Sequence, residues 1–428
     1  MLIQEEVRER GHYDVIVAGG GVAGVAAAVQ LAREGKRALV IEKSQKLGGL
    51  ATLGLINFFV PMCNGRGKQI IFGMAEEFLR LSVKYGWGSP TAAFVDGQIP
   101  QAKLDEYKAK GEQPPRYMCR YSYDIFALTL TELCVNEGVE LMFDAVVSTP
   151  VCEDVGGVTY VKGVVVENKS GREYYTADYF IDATGDSDLL YRAGIPTASR
   201  GNFHTYLGKL ITLDSCKRAV ETGNIQNAFG GCSGGGSSLY GGGHPEGVPL
   251  YYGTESSEVN RYLIQNQLEM LNKLKKTDRN SRDIATLPGM AQFRATRRIV
   301  GEYTLQVDDA YRHFDDSVGA INDFDRRDWL YEIPYRTLVN HKAGNIITCG
   351  RTASGEGYAW DILRVIPPAI ISGQAAGLAC AMAQDDKREL CTVDVPAMQK
   401  RLEAVNVGIH FDDADIPKES STVHEVVD

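Results

Sequence analysis

Along the first sixty residues the spacing of apolar positions changes twice. Residues 13–18 (YDVIVA) form a short run rich in Val and Ile that predicts a buried strand, and residues 22–34 (VAGVAAAVQLARE) carry the small residues of a packed helix. A second strand is predicted over 37–41. Further on, 121–137 predicts an amphipathic helix and 139–147 (VELMFDAVV) a strand, while 160–185 reads as strand-like runs around the turn Asn168-Lys169-Ser170-Gly171. A short apolar strand at 346–349 and a helix from Pro367 through AIISGQAAGLACAMA complete the pattern. Proline suits the first helical turn, where its missing N–H is no loss. Strands alternating with helices predict an α/β fold with a parallel sheet.

Between the first strand and helix lies Gly19-Gly20-Gly21-Val22-Ala23-Gly24. In such a turn the first glycine, Gly19, allows the sharp bend, Gly21 lets backbone N–H groups approach a pyrophosphate, and Gly24 lets helix and strand close up. The helix N-terminus then faces the phosphates with its positive end. The second strand ends at Glu42, 18 residues past Gly24, near the spacing of a carboxylate that accepts from ribose hydroxyls and disfavours a 2′-phosphate. Lys43 follows it. The pair Gly48-Gly49 has no role in a simple NAD domain and suits a longer cofactor. A third close backbone approach is expected where YFIDATGDSD ends its strand, at Ala183 and Gly185.

Length and composition fit one large domain or two intertwined ones, with 428 residues, 44% of them hydrophobic. The net charge of -10 disfavours nucleic acid and anionic membrane as partners and favours a small molecule. Nine scattered cysteines with no CxxC pair signal neither a disulfide framework nor a zinc or iron-sulfur site, so no metal is expected. A charged N-terminus and the lack of an apolar run of about eighteen residues lead to a cytoplasmic expectation.

Four ordered motifs extend the pattern: Gly48-Gly49-Leu50-Ala51-Thr52, the run 181–186 (IDATGD), the run 297–301 (RRIVG), and Gly350-Arg351 followed by Arg364-Val365-Ile366-Pro367 and Gly373-Gln374-Ala375-Ala376-Gly377. In these the chain resembles the FAD-dependent oxidoreductases of the glutathione-reductase-like flavoprotein superfamily. The resemblance implies noncovalent FAD, with adenosine near Glu42 and the backbone around Val146, pyrophosphate at 19–24, and the ring near 51–54 and the helix of Gly373 and Ala376. It also implies that the Gly350-Arg351 loop meets the pyrophosphate or ribityl chain. A helix N-terminus at Pro367 would stabilise negative charge developing on the reduced flavin. The implied architecture is a Rossmann-like FAD-binding domain with a parallel sheet built from the discontinuous segments 12–57, 117–201 and 332–428, plus an inserted substrate domain of 58–116 and 202–331. No second strand-GxGxxG-helix unit and no redox cysteine pair is evident, and the glycine-rich run 230–247 reads as a mobile loop.

Candidate catalytic residues follow from the same placement. Arg364 suits a substrate carboxylate or the charge of reduced flavin, with an ion pair to Asp361 as the structural alternative. Tyr358 is a candidate proton donor, and His204 or His244 a candidate acid or base. The run 293–298 concentrates three arginines, either beside the site or on a solvated face. The expected function is that of an FAD-dependent dehydrogenase or reductase of a small organic substrate, with electron partner and oligomeric state open. The alternatives are a flavin-dependent monooxygenase and a flavin-binding regulatory protein without catalysis.

Overall fold

In the computed structural model, which describes residues 6–419, the chain opens with β1 (Arg8–Ala18), turns into α1 (Val22–Arg33) and returns as β2 (Ala38–Ile41), parallel to β1. Val15, Ile16 and Val17 have no exposed surface, and α1 buries everything from Val22 to Leu31, as its small and apolar residues require. There follow α2 (Met74–Val83), α3 (Tyr123–Asn136), β3 (Glu140–Met142), β4 (Val146–Val155), β5 (Val158–Asn168) and β6 (Gly171–Asp182). The single strand expected over 139–147 is two, because Asp144 takes a left-handed φ of 53° and bends the chain between β3 and β4.

The chain continues through β7 (Thr205–Thr212), β8 (Gly230–Gly236), α4 (Ser256–Leu274), β9 (Arg282–Thr286), β10 (Ser317–Asn322), β11 (Leu330–Pro334), β12 (Ile346–Thr348), α5 (Gly357–Arg364) and α6 (Ile366–Asp386). The main sheet has seven strands in the order β3-β2-β1-β6-β5-β4, with β12 also parallel to β6. Its centre is parallel, and β4, β5 and β6 form an antiparallel meander at one side. This is the mixed α/β, Rossmann-like arrangement that the alternation predicts.

The helix α6 is long and apolar enough, by length and composition, to cross a membrane, against the expectation that no such run exists. Here that stretch is wholly buried, and it forms the centre of the core. Its glycines let it lie directly on α1.

A smaller antiparallel sheet, β8-β7-β9, carries its own aromatic core of Tyr206, Tyr251, Tyr262, Met270 and Phe293. Residues 230–236, expected in a mobile loop, are the strand β8. Two of its glycines let it lie there: a Cβ on Gly234 would come within 2.4 Å of the Asn266 carbonyl oxygen in α4, and one on Gly235 within 2.2 Å of the His204 ring. The separate core is also narrower than the expected substrate domain. Phe59, Met62, Met74, Phe78 and Leu79, from the segment 58–116, share the main core with α1 and α6.

Candidate functional site

The N-cap of α1 is Gly21, with extended backbone (φ −64°, ψ 172°) and no side-chain cap, so the first amides of the helix face outward unpaired by side chains. A Cβ on Gly21 would meet nothing within 4 Å, whereas Gly19 (φ 104°) and Gly24 have no room for one: it would lie 2.4 Å from the Ala183 oxygen and 2.0 Å from the Gly19 oxygen. Val22 and Ala23 are buried in the first turn. Gly48 donates its N–H to the Gly20 carbonyl at 2.8 Å, and the Gly49 Cβ position is 3.3 Å from the Gly21 Cα. The two glycine loops therefore touch. Leu50 and Ala51 continue as a short helical turn, locked where the Thr52 hydroxyl donates to the Leu47 carbonyl (2.6 Å) and Tyr121 donates to that of Ala51 (3.0 Å).

Glu42 is buried beside this turn. One carboxylate oxygen accepts the Gly20 N–H at 2.7 Å and the other that of Ser44 at 2.8 Å, which leaves a further lone pair on each. Ala145 donates its N–H to the Glu42 carbonyl, which brings the partly exposed Val146 to the same end. Lys43 reaches toward Asp186 at 3.9 Å.

On the other side of Gly19, Ala183 donates its N–H to the Ala18 carbonyl. Gly350 (φ 70°) donates to Ser372 Oγ at 2.9 Å, and a Cβ on it would be 2.8 Å from that of Ala23. Three strand ends, of β1, β6 and β12, thus meet at the start of α1. The Arg351 side chain is buried, donates to the Gly185 carbonyl (2.6 Å), to that of Phe293 and to Asp186 (2.8 Å), and so ties loops together. Gly373 and Ala376 are among the small residues that permit close helix packing. The Cβ position of Gly373 lies 2.2 Å from the Ala23 oxygen and Ala376 is fully buried, so both serve the contact between α1 and α6. Pro367 stands in the first turn of α6, whose N-cap Val365 offers no side-chain cap.

Tyr358, Asp361 and Arg364 lie on α5, immediately before α6. Asp361 is shared: Arg200 grips it with two bonds of 2.9 Å, and Arg364 Nε donates to it at 2.6 Å. Burial alone would raise the Asp361 carboxyl, but the guanidinium groups of Arg364 and Arg200 outweigh it and hold the carboxyl below its ordinary value. Tyr358 donates to Asp323 Oδ1 at 2.7 Å, and burial together with that carboxylate pushes the phenol far up, so it stays protonated. The basic run divides. Arg294 donates to the carbonyls of Ser237 and Ser238, while Arg297 pairs with Asp188 and Arg298 with Glu356.

His204 does not join this group. It has no exposed surface and packs against Tyr251 and Tyr262, with Glu269 at 3.4 Å, so its side chain belongs to the second core. His244 is used structurally, accepting the His204 N–H and donating to the Val248 carbonyl. Residues that the sequence reading missed are Arg200, Asp323 and Tyr240, whose ring stacks on Tyr358. A signal for Asp323 lies in NDFDRRD (322–328), a dense charge run right after the apolar VGAI. A further polar group, also unforeseen, joins His313, His410 and the fully buried Glu332, whose Oε1 lies 2.6 and 2.9 Å from the two imidazole Nδ1 atoms.

A family model described as FAD dependent oxidoreductase matches residues 14–227 and 252–402. The chain belongs to that family. The break in the match, 228–251, covers β8 and the glycine-rich loop of this FAD-dependent oxidoreductase. No curated protein matches the sequence. Among solved structures the oxidoreductase is similar to p-nitrophenol 4-monooxygenase PnpA from Pseudomonas putida DLL-E4, at 12% identity and a TM-score of 0.49, over 95% of this chain and 91% of that one. It is also similar to a geranylgeranyl bacteriochlorophyll reductase-like protein from Thermoplasma acidophilum, at 13% identity and TM-score 0.40, over 95% and 94%. With THI4 of Thermovibrio ammonificans the identity is 21% and the TM-score 0.31, over 45% of this chain and 66% of that one.

Proposed function

We propose that this FAD-dependent oxidoreductase is a dehydrogenase or reductase of a small organic substrate, with its reaction in the space bounded by α5 and the N-terminus of α6. The observation that carries the reading is the open space at Gly21, directly ahead of an uncapped helix N-terminus and closed on one side by the Gly48-Gly49 loop. Such a place fits a pyrophosphate. Glu42 and the backbone at 145–146 would take the adenosine, and the loop 50–54 with the α6 N-terminus would flank the ring. The kinship within the glutathione-reductase-like superfamily is part of this proposal and is supported by the same order of motifs.

Bound FAD supplies two-electron hydride chemistry. The chain's own residues bind and hold protons. The α6 N-terminus presents positive dipole, Tyr358 keeps a proton on its phenol oxygen against Asp323, and the Arg200, Asp361 and Arg364 group fixes the end of α5. We further propose noncovalent FAD and a cytoplasmic protein, the latter in keeping with its nine unpaired cysteines.

The test is an anaerobic screen of candidate substrates for bleaching of the flavin in the purified holoenzyme. Bleaching by an organic substrate, lost in Tyr358→Phe or Arg364→Gln, supports the reading. Hydroxylation coupled to NAD(P)H oxidation would make it a monooxygenase instead, and a flavin that no metabolite reduces would leave a binding protein.

A further inference from the structure

Three guanidinium groups gather at the end of α5 around one carboxylate. Asp361 Oδ1 receives Arg200 Nη2 and Arg364 Nε, and Oδ2 receives Arg200 Nη1, so both of its oxygens are engaged. Arg294 adds a third positive charge. It is held by the Ser237 and Ser238 carbonyls, which carry no formal charge to offset it. Burial first, and then repulsion from Arg364, push the Arg294 guanidinium down to about 10. The group thus holds two positive charges more than its single acid balances.

The arrangement leaves specific donors unspent. Arg364 uses only Nε, and its two terminal nitrogens donate to no protein group, although the side chain is only 14% exposed. The Ser237 hydroxyl, on the residue whose carbonyl anchors Arg294, is buried with no hydrogen-bond partner. Positive charge in excess of its counter-charge in a partly buried place is unfavourable, and the unpaired buried Ser237 hydroxyl adds to it, unless an anion completes the set.

We infer that the substrate is an organic carboxylate, whose carboxylate group docks on the terminal nitrogens of Arg364 beside Arg294 and Ser237. The inference rests on the proposed oxidoreductase function and gives its substrate a chemical class. A planar fork matches the two oxygens of a carboxylate, as a lysine ammonium would not. The FAD pyrophosphate does not compete for this place in the proposed arrangement, because it lies at α1.

The experiment titrates the FAD-loaded protein with acetate, malonate, succinate, fumarate and benzoate, and with succinamide and benzamide as neutral counterparts, and reads the flavin difference spectrum. A carboxylate is expected to perturb the spectrum at least about tenfold more tightly than its amide, because a site built for an anion rejects the uncharged analogue. Arg364→Lys, which keeps the charge but not the fork, and Arg294→Gln should each weaken that binding about tenfold or more in protein that still takes up FAD. Three results would overturn the inference: no spectral change with any of the acids up to about 10 mM, a weakness far outside the usual range for a substrate; equal response to acids and amides; or loss of FAD itself in Arg364→Lys, which would assign the guanidinium to the coenzyme. A wild-type protein that takes up no FAD would instead overturn the functional reading beneath it.

Discussion

Gly373 on α6 stands so close to α1 that a Cβ added to it would lie 2.2 Å from the carbonyl oxygen of Ala23. The helix that would underlie the ring end and the helix that would face the pyrophosphate are therefore one rigid pair. Because the obstacle is backbone, Gly373→Ala must push the helices apart, at a cost of about 1–3 kcal/mol. Gly231→Ala, where the new methyl would meet nothing within 4 Å, is the control and should change stability by less than about 0.5 kcal/mol. Urea unfolding of both variants checks this, and FAD affinity should fall only in the first.

Arg351 connects the loops after β6 and β12 through Gly185, Asp186 and Phe293. A lysine keeps the charge but cannot reach three acceptors with a planar fork. Arg351→Lys should cost about 2–4 kcal/mol and lower FAD affinity through displacement of the 183–185 loop, which rests on Gly19. Thermal unfolding with and without FAD separates the two effects.

Asp361→Asn removes the carboxylate that Arg200 and Arg364 share, and breaking such a buried group should cost about 3–5 kcal/mol at neutral pH. The sign with pH follows from the direction of the shift. Burial raises the Asp361 carboxyl, the two arginines lower it further than that, and the net value lies below the ordinary one. Its contribution is then present above the unfolded value, about 3.9, and is lost as pH falls through the lower folded value. The gap in stability between wild type and variant should therefore close only in strong acid.

The first βαβ unit was readable because both of its periods and its glycines are local features. Val15 to Val17 bury both faces, and Gly19 and Gly24 sit where any Cβ would clash. What escaped was set by distant contacts. β8 looks like a loop in sequence, since the reason for Gly234 and Gly235 is the approach of Asn266 and His204. Arg200 and Arg364 meet at Asp361 across 161 and 3 residues, so only the second pairing could be anticipated from spacing. Gly373 packs against α1, as its place among small residues in the sequence foretold.

His313 offers a second pH test. Its Nδ1 faces Glu332 at 2.6 Å and its Nε2 faces Asp413 at 3.0 Å, with His410 also on Glu332. The Glu332 and Asp413 carboxylates raise the imidazole above its usual value against the smaller effect of burial. A raised histidine gives stability that is fully present below the unfolded value, near 6.5, and is lost as pH rises through the higher folded value. Melting temperature should decline across that window in wild type and much less in His313→Gln.

The most direct test of the whole account is FAD binding by Gly21→Asp, measured by flavin fluorescence quenching and compared with wild type. Aspartate fits the extended backbone and the open space at this N-cap and, as a good capping residue, should leave the apo fold at least as stable. Its carboxylate would occupy the place assigned to the pyrophosphate. The account predicts one FAD per wild-type chain and a loss of affinity of about 100-fold or more in the folded variant, equivalent to about 2.7 kcal/mol; equal FAD affinity in the two proteins would contradict it.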